Sequence, residues 1–74
     1  MTLNDLKAGQ QARVLDVTAS GATGQRLLDM GFVEGSPVQI VRNAPLVDPM
    51  DILVRGCHVS IRHDEAKTVE VELS

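Results

Sequence analysis

The stretch Arg26-Leu27-Leu28-Asp29-Met30-Gly31-Phe32-Val33-Glu34-Gly35-Ser36-Pro37-Val38-Gln39-Ile40-Val41 reads as a short helix stopped by glycine, then a turn, then a β-strand. Leu27, Leu28 and Met30 supply an apolar helical stripe. Gly31 is free to take the left-handed conformation that ends a helix without a Cβ penalty. Phe32 then falls where such an end wants an apolar side chain packed back toward Leu27. Glu34-Gly35 redirects the chain, and Pro37 stands at a strand entrance, where its missing N–H costs little. None of these residues does chemistry; they build a small β structure around a short helix.

The same reading extends in both directions. Thr2 caps a first turn through Leu3-Asn4-Asp5-Leu6, with Asp5 near its positive end, and Gly9 ends it. Gln11 to Val17 is a strand of mixed pattern, Val14 on one face and Leu15 and Val17 on the other, as for a curved strand covered on both sides. Ser20 to Gly24 reads as a loop leading into a Gln25 to Met30 helix, too short to stand without packing. Of the stripe, two side chains are expected to be buried, with Met30 or Arg26 at the rim.

Toward the C-terminus, Val38 and Ile40, Ile52 and Val54, Val59 and Ile61, and Val69, Val71 and Leu73 alternate with their neighbours, which predicts four more strands. Gly56 suits the tight connection between the third and fourth, and His63 to Lys67 a one-turn link before the last. The predicted fold is mainly β: one domain over residues 1–74, a small five-stranded barrel with one or two short helices, its sheet edges removed by closure. The predicted core is Val14, Leu27, Phe32, Val38, Ile40, Val54, Val59, Ile61, Val69 and Val71.

Composition narrows the function. Hydrophobic residues make up 43% and aromatic residues 1%, with Phe32 the only ring, so aliphatic side chains must fill the interior. A chain of this size buries only about 60% of its unfolded surface, so its stability is modest. One cysteine excludes an internal disulfide. Together with the lack of a leader pattern or a long apolar run, this predicts a soluble cytoplasmic protein that reaches a membrane only through a partner. A net charge of −3, with seven scattered Lys and Arg and no stacking rings, argues against nucleic-acid binding.

Candidate sites are few. Cys57 and His58 are metal-ligand types, but adjacent strand residues point to opposite faces. His63, though in phase with Cys57, would lie about 20 Å away along an extended strand. Cys57 is therefore expected to be an inert buried thiol and His58 a solvent-facing polar residue. Asp48 and Asp51 could be read as paired carboxylates; Asp-Pro is a turn pair, however, and the segment offers too few ligands for a hard cation. With no phosphate loop and no Ser, His and Asp arrangement, the sequence predicts no catalytic residue, no cofactor and no metal centre. Glu70 and Glu72 read as a solvated strand face.

A docking surface is the remaining candidate: Leu46, Val47, Asp48, Pro49 and Met50 on a loop stiffened by Pro45 and Pro49, with Arg55 as an expected neighbour and Met30 as an alternative contact. The competing expectation is that Leu46 plugs the barrel mouth.

Five landmarks carry a resemblance across nearly the whole chain. They are the helix end Leu27 to Gly31, the glycine Gly35 before a strand, Ala44-Pro45-Leu46-Val47-Asp48-Pro49, the Arg55-Gly56 turn, and Arg62-His63-Asp64-Glu65-Ala66. In this order and spacing they resemble the small ferrous iron transport protein A family, FeoA. The chain departs from the family pattern at Val47, where glycine is common, so no positive φ is read into this loop, and at Cys57, where an aromatic residue is common. The resemblance implies an SH3-like barrel and a non-enzymatic cytoplasmic accessory protein, a monomer or weak homo-oligomer. It further implies engagement of the cytosolic domain of a FeoB-type GTPase permease in support of Fe²⁺ uptake. The alternative is an SH3-like regulatory domain resembling the end domain of metal-dependent repressors, with an ancillary metal site. A repressor would carry a basic helix-turn-helix domain, for which a chain ending at Ser74 is expected to leave no room.

Overall fold

Alternating apolar side chains set five strands: β1 (Gln11–Val17), β2 (Pro37–Arg42), β3 (Met50–Val54), β4 (Cys57–Ile61) and β5 (Val69–Leu73). The computed structural model describes residues 1–74. A 3-10 turn at Leu3–Asp5 precedes β1, helix α1 (Gly21–Asp29) joins β1 to β2, and the short α2 (His63–Ala66) joins β4 to β5. All pairings are antiparallel, in the order β4-β3-β2-β1-β5.

The register places Ala12, Val38 and Val54 in one inward row and Ile40, Ile52 and Val59 in the next. Met50 and Ile61 form a third on β3 and β4. Facing outward are Arg13 beside Pro37, and Gln11, Gln39, Leu53 and His58 in sequence. The barrel is not closed: β4 and β5 do not pair, so edges remain where closure was expected. The β5 edge is padded by the N-terminus, where Met1 O accepts the Val71 N–H at 3.0 Å and Thr2 bridges to Glu70.

Fifteen buried apolar residues form one core. Nine of the ten expected side chains belong to it; Val59 is half-buried against its margin. Leu3, Leu6, Ala12, Met50, Ile52 and Ala66 complete it without having been expected. Leu3 and Leu6 enter because the N-terminal turn lies across the barrel. There the Asp5 carboxylate accepts the Thr2 N–H at 2.8 Å, so the acid caps the turn's first residue rather than the threonine capping the turn.

The helix end matches its reading. Phe32 N–H donates to Leu27 O and Gly31 N–H to Leu28 O, with Gly31 at φ +110°, the paired bonds of a Schellman motif. The helix start does not match. α1 begins at Gly21, four residues earlier than expected, because Gly24 serves close packing rather than a turn: a Cβ there would stand 2.3 Å from the Ala19 carbonyl oxygen. Within the stripe only Leu27 is fully buried; Met30 is half-buried and Leu28 faces solvent. β1 also differs, since Leu15 is exposed rather than covered and a register shift between Val14 and Asp16 turns the strand.

Candidate functional site

The segment between β2 and β3 is held from beneath and bare on top. Asn43 Nδ2 donates to Leu6 O at 2.7 Å and Asn4 O at 3.2 Å, tying the base of the loop to the N-terminal turn. His63, the first residue of α2, holds the far side. Its backbone N–H donates to Asp48 Oδ1 at 2.8 Å, and its Nε2 donates to Val47 O at 2.9 Å, with Ala44 O at 3.2 Å. Its Nδ1 stands 2.6 Å from Asn4 Oδ1. The ring thus joins three separate segments, and only 16% of the His63 side chain is exposed.

Leu46 stands on this base with complete exposure, 102% of its reference area, and Val47 is 56% exposed. Leu46 does not plug the barrel mouth. It holds φ +62°, a left-handed conformation rare for a branched apolar residue, so positive φ occurs in this loop one position before the place where the family pattern has glycine. The strain persists because the anchors on either side fix the backbone. A bare leucine on a strained tip buries nothing in the free protein. Beside it, an open groove of about 600 Å³ runs between the loop, the N-terminal turn and α2, with Asn4, Lys7, His63 and Lys67 in its walls.

Three expected members of the site lie elsewhere. Met50 is fully buried, since as the first residue of β3 it pairs with Ile61 on the inward face. Arg55 occupies the opposite end of β3, roughly 17 Å along the strand at about 3.4 Å per residue, where its Nε donates to Ser36 Oγ at 3.0 Å. Met30 is packed against the core at the end of α1 and takes no part in the loop. Pro45, Leu46, Val47, Asp48 and Pro49 remain exposed together.

The two aspartates enter separate networks. Asp48 receives the His63 N–H, whereas Asp51 accepts Ser60 Oγ at 2.7 Å and pairs with Arg42 at 2.7 Å, with His58 at 3.8 Å. The Ser60 hydroxyl, with Arg42 and His58 adding, holds the Asp51 carboxyl below the usual aspartate range despite some opposing desolvation. Cys57 is exposed, not buried: it has the inward phase of Val59 and Ile61 but sits at the turn, past the edge of the core. His58 faces solvent as expected. No three His, Cys, Asp or Glu side chains converge on a point that could hold a metal ion. No helix is long and apolar enough to cross a membrane.

Sequence reasoning missed the anchors. His63 read as part of a link, and Asn43 and Asn4 carried no signal, because their partners are contributed by segments 37 to 59 residues away in the chain.

Comparison with known proteins gives this geometry a context. A Fe(2+) transport protein A/Fe(2+) transporter FeoB fusion protein of Porphyromonas gingivalis is 40% identical over 73 residues, which are 99% of this chain and 9% of the fusion. A putative Fe(2+) transport protein A of Campylobacter jejuni is 38% identical over 77 residues and matched along 99% of both chains. Among solved structures, the zinc complex of Stenotrophomonas maltophilia FeoA, described as a procaryotic SH3 domain protein, shares the fold with a TM-score of 0.87 at 34% identity. It covers 97% of this chain and 89% of that one. IdeR of T. acidophilum shares the fold alone, with a TM-score of 0.85 at 20% identity over all of this chain and 34% of that one. Residues 1–73 match the FeoA domain, and with the five-stranded SH3-like architecture in agreement, the chain belongs to the FeoA family.

Proposed function

We propose that this protein is a non-enzymatic, cytoplasmic accessory of ferrous iron uptake that docks on the cytosolic domain of a FeoB-type GTPase permease through the Leu46-Val47 tip. The observation that carries the reading is the Porphyromonas gingivalis fusion, in which a region 40% identical to this chain is continuous with a FeoB transporter. Fusing two modules raises their effective concentration to the millimolar range for short linkers, which benefits modules that act on one another. The tip supplies a suitable contact. Its apolar side chains are exposed, while the anchors from Asn43 and His63 already hold its backbone, so little ordering opposes docking.

The test uses two variants of the tip. Leu46→Asn suits the left-handed backbone better than leucine and should raise stability by about 1 kcal/mol, while removing the apolar contact. Val47→Asp places a charge on the exposed tip without touching the core. Calorimetric titration against the cytosolic domain of a FeoB-type permease, with and without guanine nucleotide, should show both variants folded and binding at least about tenfold weaker, the loss expected when a leucine is no longer buried. Unchanged binding by both variants would move the contact off the tip, and no binding by the parent protein would remove the partner.

A further inference from the structure

The opposite end of the β2–β3 hairpin carries a second surface that the tip does not explain. Arg13 and Arg55 flank Pro37 on the outer face of the sheet: Arg13 is its register partner on β1, and the Arg55 N–H donates to Pro37 O at 3.0 Å. Each guanidinium is fixed by a neutral acceptor on consecutive residues, Arg13 Nη1 on Gly35 O at 3.1 Å and Arg55 Nε on Ser36 Oγ at 3.0 Å. Arg26 and Arg42 are ion-paired with Glu65 and Asp51, whereas neither Arg13 nor Arg55 has a carboxylate partner. Glu72 lies across the ladder from Arg13 but forms no ion pair with it.

Arg55 is also an unusual occupant of its position. The hairpin turn has two residues, Arg55 and Gly56, both with positive φ, a position where Asn, Asp or Gly is favoured. Its Nε–H satisfies Ser36, which is the one buried polar side chain of the molecule. Strain in the backbone and a buried hydroxyl together hold this side chain where it is. Between the two arginines the outer face is a shallow groove floored by Pro37 and half-buried Leu53, with Gln11 and Gln39 at one side.

We propose that this outer face is a second docking surface, which takes an acidic segment of a partner protein by a carboxylate held between Arg13 and Arg55 while an adjacent apolar side chain covers Pro37 and Leu53. Charge complementarity selects the occupant. In a chain of net charge −3, two guanidinium groups that rest on neutral acceptors and form no ion pair leave N–H donors that match a carboxylate fork. The openness of the groove selects a protein segment over a free ion. Exposed guanidinium groups hold a lone anion weakly, and only an attached apolar neighbour adds burial. The surface stands apart from the Leu46 tip, so the inference does not depend on the permease being the partner of that tip.

The experiment titrates the full chain, ¹⁵N-labelled, with a synthetic Glu-Leu-Asp-Leu-Glu peptide, a Lys-Leu-Lys-Leu-Lys peptide and inorganic phosphate. The acidic peptide should shift the Arg13 and Arg55 side-chain N–H signals and the Gln39 and Leu53 amides, less so as salt rises, and leave Val47 unmoved. Arg55→Asn gains a residue suited to the turn but loses the bond to Ser36, and Arg13→Gln removes the charge and the bond to Gly35 at an exposed position, so each variant's melting curve is measured first and the titration is read on the folded protein. Each should weaken peptide binding about tenfold, the loss of one charge-assisted pair. The proposal is overturned if folded Arg55→Asn binds as the parent does, if the basic peptide shifts the same signals, if phosphate alone shifts them equally, or if the acidic peptide shifts nothing.

Discussion

Asp51 shows how a single residue ties the outer surface to stability. Its carboxylate gathers Ser60, Arg42 and His58, and the Ser60 hydroxyl is the first cause of its lowered pKa. A carboxyl whose folded pKa lies below its unfolded value adds stability that is present above the unfolded pKa and is lost as pH falls through the folded one. Removing the hydroxyl removes part of that contribution. Ser60→Ala should therefore melt below the parent at neutral pH, and the gap should close as pH falls below about 4, where aspartate in the unfolded chain protonates. Melting curves between neutral and strongly acid pH check this; a gap that is constant with pH would assign the effect to packing instead. Leu46 and Arg55 make a related point, since each sits at positive φ where its residue type is unfavoured, and each projects a side chain outward. Local preference is broken at the two positions proposed here to meet partners, as expected when function rather than folding selects the residue.

At the scale of elements, α1 depends on contact more than on its own sequence. Nine residues with two glycines inside the first turn do not make a stable isolated helix. The Schellman end fixes its C-terminus, and the close approach of Gly24 to Ala19 fixes its N-terminal half. Gly24→Ala would give a helix with better intrinsic propensity and worse packing, and the two effects oppose each other. A Cβ at 2.3 Å from a backbone oxygen must displace the helix, at a cost of about 1–3 kcal/mol that exceeds the roughly 1 kcal/mol gained in propensity. The variant should melt several degrees lower, since about 1 kcal/mol moves the midpoint by about 4–8 °C in a domain of this size. A midpoint equal to or above the parent's would show that α1 slides at little cost. The Arg26–Glu65 pair, which links α1 to α2 at the surface, adds little to this balance.

For the whole molecule, stability rests on one aliphatic core closed by the N-terminal turn and α2, with a net value of a few to about ten kcal/mol expected for 74 residues. Val71, on β5 and 2% exposed, pairs in register with Val14 and has no polar group to receive a charge. Val71→Asp should leave the chain unfolded at neutral pH, because burying a lone carboxylate costs several kcal/mol and the valine burial is lost as well. Far-ultraviolet circular dichroism like the parent's would place Val71 on the outer face. The sequence by itself determined the five strands, the Gly31 helix stop, the tight turn at Gly56 and most of the strand core, though not Ala12, Met50 or Ile52, because alternation, turn chemistry and glycine conformation are properties of neighbours in the chain. Only the tertiary structure decided that the barrel stays open between β4 and β5, that Met50 is core while Leu46 is bare, that Cys57 falls beyond the core's edge, and that Arg55 lies a strand's length from the loop. Each of those depends on which distant segments meet. His63, Asn4 and Asn43 meet only when β2, α2 and the N-terminal turn converge, and that convergence, not any local pattern, ties down the base of the loop that carries Leu46.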